Sequence, residues 1–124
     1  MAQMNYHFND CEAGVAYKAV FSIPKAGANT FALNTDWTPS AGDTKVYDGS
    51  GAVANTTDNP SHIPSSNGMW VLSLTAAEMT PGSTNFKNMI IVTITDSSDI
   101  DSVCLIFNTS QRKWALERSC VYNS

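Results

Sequence analysis

The residues able to perform acid–base chemistry or to hold a metal ion are few and scattered in this chain. There are two histidines, His7 and His62, and neither belongs to a His-x-x-x-His or Glu-x-x-His pair of the kind that binds zinc. The sequence contains no Gly-x-Ser-x-Gly nucleophile elbow, no glycine-rich phosphate loop and no dinucleotide fingerprint. A catalytic triad would have to combine His62 with a serine and an aspartate distant in sequence. In a serine-rich chain such a combination is expected by chance. We therefore expect no enzyme activity and no cofactor.

The three cysteines, Cys11, Cys104 and Cys120, are an odd number, widely spaced and without a Cys-x-x-Cys pair. The N-terminal residues lack the basic start and apolar core of a signal peptide, so we expect synthesis in a cytoplasm, where thiols stay reduced. Cys104 lies within an apolar run and is predicted to be a small core residue. Cys11 and Cys120 lie towards the two ends of the chain, and a disulfide between them stays open.

The best acidic cluster is Asp96, Asp99 and Asp101, in a polar segment between two apolar runs. Carboxylate oxygens can bind calcium, which needs six or more such ligands, but the spacing lacks the glycine and the distal glutamate of an EF-hand loop. Aspartate and serine also favour turns, because their side chains bond to their own backbone. We expect an ordinary hairpin turn here, with a calcium site as the alternative.

The charge of the chain is low and unevenly distributed. Charged residues make up 15% of the sequence and the formal net charge is −4, which argues against a nucleic-acid or anionic-membrane partner. The last residues are instead basic and include a tryptophan, and the candidate interface residues there are Arg112, Lys113, Trp114 and Arg118. We expect either an arm that docks on an acidic neighbour or a solvated tail whose tryptophan folds back onto its own domain.

Aromatic residues are the remaining candidates for ligand contact, because exposed rings can stack on the faces of sugars. Trp70 is in phase with Leu72 and Leu74 and is therefore predicted to lie in the core. Trp37 precedes a Thr-Pro pair. Its side chain is expected either to pack at the edge of the core or to contact a ligand. The candidate glycan-stacking residues are Trp37 and Tyr47.

The elements that must position these residues are short strands. Each is marked by alternating apolar and polar side chains or by β-branched residues, and they lie near residues 17–23, 45–48, 52–54, 69–74, 88–94 and 102–107. Thr75 and Glu78 have the spacing of a capping box, which predicts one short helical turn. Six or seven strands joined by turn residues predict an all-β sandwich or small barrel. We place it at residues 15–109, between an N-terminal arm at residues 1–14 and the C-terminal basic arm at residues 110–124.

Four segments, taken in order, resemble a known family. They are TDWTPSAGDTKVYDG at residues 35–49, AVAN at 52–55, MWVLSLTAAEM at 69–79 and IIVTITD at 90–96. Their order and spacing together resemble small immunoglobulin-like domains of tailed-bacteriophage virion proteins, over residues 17–108. The resemblance implies an immunoglobulin-like antiparallel β-sandwich of about seven short strands.

The same resemblance implies a structural and docking role rather than catalysis, because the matching positions are turn, cap and core residues. The expected function is an accessory virion protein, either a capsid decoration or a neck or tail component. Its expected partners are other virion proteins (major capsid, portal, neck or tail) and copies of itself, with no nucleic acid and no membrane. The expected location is the virion, after synthesis in the host bacterial cytoplasm. The alternative is a carbohydrate- or host-surface-binding module of a tail fibre.

Overall fold

The computed structural model describes residues 3–96 and 98–109. Within these residues the chain is all-β, as the sequence predicted, and contains no helix. Its eight strands are β1 (Met4–Phe8), β2 (Tyr17–Ser22), β3 (Thr44–Tyr47), β4 (Val53–Asn55), β5 (Ser61–His62), β6 (Met69–Leu74), β7 (Met89–Ile94) and β8 (Val103–Asn108).

The strands form two sheets. One has five strands in the order β1-β8-β7-β3-β4, and the other has three in the order β2-β6-β5. Every neighbouring pair is antiparallel except β1, which runs parallel to β8. The arrangement is sandwich-like, because both sheets contribute buried side chains to one core.

The core follows directly from the two-residue alternation of the strands. Strands β6, β7 and β8 each bury every second side chain. Each large aliphatic or aromatic side chain removed from water in this way contributes about 1.5–3 kcal/mol to stability. The largest fully buried side chains are Trp70, Phe21, Phe107, Ile23, Leu72, Leu74, Met79, Ile90, Ile94, Leu105, Val92 and Val103.

The N-terminal arm predicted at residues 1–14 is, over Met4–Phe8, an edge strand of the larger sheet. Its inward side chains explain why it pairs there. Phe8 stacks on Phe107 with ring centroids 4.9 Å apart, and the Tyr6 hydroxyl donates a hydrogen bond of 3.0 Å to the Ser22 carbonyl in the other sheet. Burying two aromatic rings favours the sheet over an extended arm.

The capping box predicted at Thr75 and Glu78 is present as a single hydrogen-bonded turn. The Glu78 N–H donates to Thr75 Oγ1 at 3.1 Å, and the Thr75 N–H donates to Glu78 Oε1 at 2.8 Å. Met79 anchors the turn in the core, and its N–H donates to the Thr75 carbonyl. The turn does not continue into a helix, because Pro81 follows and has no N–H to donate.

The core position predicted for Cys104 is wrong. On β8 the inward residues are Val103, Leu105 and Phe107, so Cys104 lies half-buried on the outer face of the sheet. Of the two cysteines that the structure describes, Cys11 is the fully buried one, and burial raises its pKa to about 11, which keeps it protonated. Its suggested partner, Cys120, lies outside the described residues.

Candidate docking face

The outer face of the five-stranded sheet is formed by the residues that alternate with the core side chains. On β7 and β8 these outward residues include Ile91 and Ile106, which are half-buried. Each of these two strands therefore has apolar side chains on both faces, although Thr93 and Asn108 on the outer face are polar. In an antiparallel sheet a strand with one face in water alternates apolar with polar residues, so a second apolar face indicates a surface suited to being covered.

The strand register aligns one outward residue from each strand in a row across the sheet. His7 lies opposite Ile106, Ile106 opposite Ile91, Ile91 opposite Tyr47, and Tyr47 opposite Val53. We call these five residues the apolar row, although its first member, His7, is polar. Because neighbouring strands are about 4.8 Å apart, the row extends about 19 Å across the sheet. Its edge residue Val53 is 51% exposed.

The neighbouring row on the same face is polar and carries one charge. It consists of Asn5, Cys104, Thr93, Lys45 and Asn55. The Lys45 ammonium donates to Asn55 Oδ1 at 3.2 Å, so the charge lies along the edge of the sheet. None of the eight strands contains an aspartate or a glutamate, and every acidic residue that the structure describes lies in a loop or turn. The strands of this face therefore carry no negative charge, although the chain as a whole is acidic.

The two residues predicted to stack on sugars, Trp37 and Tyr47, lie in different parts of the fold. Trp37 is 2% exposed and packs on Trp70, which closes both faces of its indole ring to a sugar. Packing in the core was one of the two alternatives for Trp37. Tyr47 is half-buried and belongs to the apolar row. The candidate interface residues of the basic arm, Arg112, Lys113, Trp114 and Arg118, lie outside the described residues.

In the acidic cluster, the Asp96 carboxylate closes the turn that follows β7. Asp96 Oδ1 accepts from the backbone N–H groups of Ser98 at 3.0 Å and Asp99 at 3.3 Å, while Oδ2 accepts from Trp37 Nε1. These bonds, the Ser98 backbone first, lower the pKa of the Asp96 carboxyl. Across residues 3–96 and 98–109, no three His, Cys, Asp or Glu side chains are placed to hold a metal ion.

His62 has a serine neighbour, but the serine hydroxyl is committed to the local turn. The distance from Ser66 Oγ to His62 Nε2 is 3.4 Å. Ser66 Oγ donates to the Ile63 carbonyl at 2.7 Å and accepts from the Met69 N–H at 3.1 Å. The His62 ring meets Trp70 edge to face. These contacts close the turn before β6.

Sequence reasoning missed Ile91, Ile106 and Val53 as surface residues. The signal was present in the uninterrupted apolar runs of β7 and β8, which have large side chains at successive positions. A run of that kind indicates two apolar faces. His7 lies in the segment predicted to be an arm, so the sequence does not place it on a sheet face.

Comparisons with known proteins give no relative. A scan against protein-family models, a search of curated proteins and a search of solved structures each found no match to this chain.

No helix in the described part of the chain is long and apolar enough to cross a membrane.

Proposed function

We propose that this protein is a non-enzymatic structural module of a tailed-bacteriophage virion, and that it assembles through the outer face of its five-stranded sheet. The apolar row carries the docking part of the proposal, because it crosses all five strands of a sheet whose strands contain no acidic residue. The segments at residues 35–49 and 69–79 support the virion part through their resemblance to phage domains. The role within the particle is capsid decoration or a neck or tail component.

We also infer that the sandwich is immunoglobulin-like. The order β2-β6-β5 in one sheet and β8-β7-β3-β4 in the other follows the B-E-D and G-F-C-C′ arrangement of variable-type immunoglobulin domains. The chain departs from antibody domains in one respect. Neither β2 nor β7 contains a cysteine, so the disulfide that joins strands B and F in antibodies has no counterpart.

The occupant that best fits the outer face is a second copy of the chain. Ile91 lies at the centre of the apolar row, so a two-fold axis along β7 would place Ile91 against its own copy and Ile106 against Tyr47. In the polar row the same axis places Lys45 against Cys104, so no like charges meet. Self-complementarity of this kind is what a two-fold interface requires.

The size of the face sets the expected strength of this contact. Six residues of strand are about 20 Å long and five strands about 19 Å wide, so two apposed faces bury on the order of 750 Å² in total. Specific interfaces usually bury at least about 1,200 Å². We therefore expect weak association in solution, strengthened in a particle by the many copies that bind together.

Sedimentation equilibrium over a range of concentrations tests the docking face. Ile106→Lys places a charge within the apolar row and should make the chain monomeric at every concentration. Val20→Lys is the matched control, because Val20 is 46% exposed on a strand of the other sheet. This control should associate like the unmodified chain. Equal association of the two variants would contradict the proposal.

Virion membership has its own test. Mass spectrometry of purified particles of the phage that encodes the chain should detect it as a component, and its absence would contradict the virion role.

The basic arm is tested by deleting residues 110–124. We expect a folded domain that no longer joins particles, and retained incorporation would exclude the arm as a docking element.

A further inference from the structure

A shallow cleft lies between the loop that joins β2 to β3 and the loop that joins β5 to β6. Its lining includes the apolar side chains of Phe31 and Leu33 and the polar side chains of Lys25, Asn29, Asp36 and Asn67. None of these residues belongs to the docking face. Phe31 is 38% exposed, so part of its ring is open to solvent.

The backbone segment that pairs with Phe31, at Pro24 and Lys25, is held on both sides. On one side the Lys25 N–H donates to the Thr30 carbonyl at 2.9 Å, and Pro24 forms a bridge with Phe31. On the other side the Asp101 N–H donates to the Pro24 carbonyl at 3.0 Å. The aromatic ring therefore projects from a paired platform rather than from a free loop.

The core fixes the position of the platform. Trp70 Nε1 donates to the carbonyl of Ala32, the residue after Phe31, at 2.9 Å. Gly68 lies so close that a Cβ at this position would be 2.6 Å from the Cβ of Phe31, and its φ of +92° also favours glycine. The backbone and the Cβ of Phe31 are thus already fixed in the free protein. This reduces the entropy cost of binding a ligand.

The polar side chains leave the cleft without net charge. Lys25 Nζ and Asp36 Oδ1 form an ion pair of 3.1 Å, and Asp36 Oδ2 accepts from the Leu33 N–H at 2.8 Å. Asn29 and Asn67 are exposed, and each amide offers both donors and an acceptor. An apolar ring beside several mixed donors and acceptors suits a ligand that has an apolar face and neutral hydroxyl groups.

We propose that this cleft binds a neutral saccharide. The Phe31 ring packs against the C–H face of the sugar, while the amides of Asn29 and Asn67 and the Asp36 carboxylate bond to its hydroxyl groups. A peptide strand cannot pair with residues 23–26, because their backbone is already bonded on both sides. The proposal does not depend on the docking face, and it moves sugar recognition from Trp37 and Tyr47 to a different surface.

An NMR titration of the isotope-labelled chain tests the cleft. The probes are the methyl glycosides of glucose, galactose, N-acetylglucosamine and rhamnose, with blocked trialanine as the peptide comparison. At least one glycoside should shift the amide signals of Phe31, Asn29 and Asn67. Phe31→Ala should weaken that binding about tenfold, the scale of one aromatic contact.

Two further variants make the outcome decisive. Phe31→Leu keeps an apolar side chain on the same platform and should also lose binding, whereas Val20→Ala removes an exposed apolar side chain elsewhere and should retain it. The proposal is overturned by no response to any of the four glycosides, by binding that survives both Phe31 variants, or by a response to trialanine alone.

Discussion

Trp37 and Trp70 pack against each other with their ring centroids 5.3 Å apart and their planes inclined at 52°. Each indole N–H also donates a hydrogen bond, from Trp70 to the Ala32 carbonyl and from Trp37 to Asp96 Oδ2. The pair therefore connects the long loop before β3 and the turn after β7 to strand β6. These two loops are held by the core, although neither belongs to a sheet.

Replacing Trp37 tests its position in the core. Trp37→Ala should lower the free energy of unfolding by about 3–5 kcal/mol, the usual cost of removing a buried aromatic side chain. Urea unfolding followed by circular dichroism measures the change. Val53→Ala is the control, since Val53 is mostly exposed, and it should change stability by less than about 0.5 kcal/mol. Similar costs for the two variants would place Trp37 at the surface.

The Glu78 carboxylate links two segments of the chain. Besides its bond to the Thr75 N–H, its Oε2 accepts from the Thr57 N–H at 2.8 Å. Glu78→Ala removes both bonds and should cost about 1–2 kcal/mol of unfolding free energy. Glu12→Ala, at an exposed glutamate, should leave the urea midpoint unchanged. A Glu78 variant as stable as the Glu12 variant would show that these bonds contribute nothing net.

Asp96 should make stability depend on pH in the acid range. Its pKa in the folded chain lies below the ordinary value of 3.8, because the carboxylate accepts backbone bonds from Ser98 and Asp99. The unfolded chain therefore takes up a proton at higher pH, so the stabilisation is present above 3.8 and is lost as the pH falls through the native pKa.

Thermal unfolding at a series of pH values measures this effect. Asp96→Asn should lower the melting temperature near neutral pH and make its fall towards acid pH shallower than in the unmodified chain. Asp58→Asn, at an exposed aspartate, is the control and should leave the profile unchanged. An Asp96→Asn profile that runs parallel to the unmodified one would contradict the assignment.

Phe8→Ala distinguishes an edge strand from an arm. Because the Phe8 ring stacks on Phe107 and meets Tyr17 edge to face, its loss should cost about 1–3 kcal/mol in the isolated chain. His7→Ala, on the other face of the same strand, should cost far less. If both variants unfold at the urea concentration of the unmodified chain, β1 does not contribute to the stability of the sheet.

The strands that the sequence predicted are those with a local pattern. Alternation or β-branched residues marked β2, β3, β4, β6, β7 and β8. Each predicted end of these strands lies within one residue of the observed end. β5 was not predicted, because Ser61–His62 lies between Pro60 and Pro64 and is a strand only through its pairing with β6. The pairing of β1 with β8 is equally non-local.

The candidate docking face could be predicted only in part. The apolar runs of β7 and β8 contain the information that both of their faces are apolar. That Ile106, Ile91 and Tyr47 lie in one row depends on the register between strands, and a shift of one residue would turn each side chain to the other face. Register between distant strands has no counterpart in local sequence.

Cross-linking through Ile91 tests the central claim most directly. If two copies pack face to face about a two-fold axis along β7, the two Ile91 side chains lie across the interface, where packed sheets are about 10 Å apart. Two Val53 side chains would lie about 19 Å apart along the sheet, four strand spacings from each other. The measurement uses Ile91→Cys and Val53→Cys, each with Cys104 and Cys120 replaced by serine, and a bismaleimide that spans one sheet separation. The proposed assembly predicts cross-linked dimers from Ile91→Cys and monomers from Val53→Cys. Monomers from Ile91→Cys, or equal cross-linking of both, would contradict it.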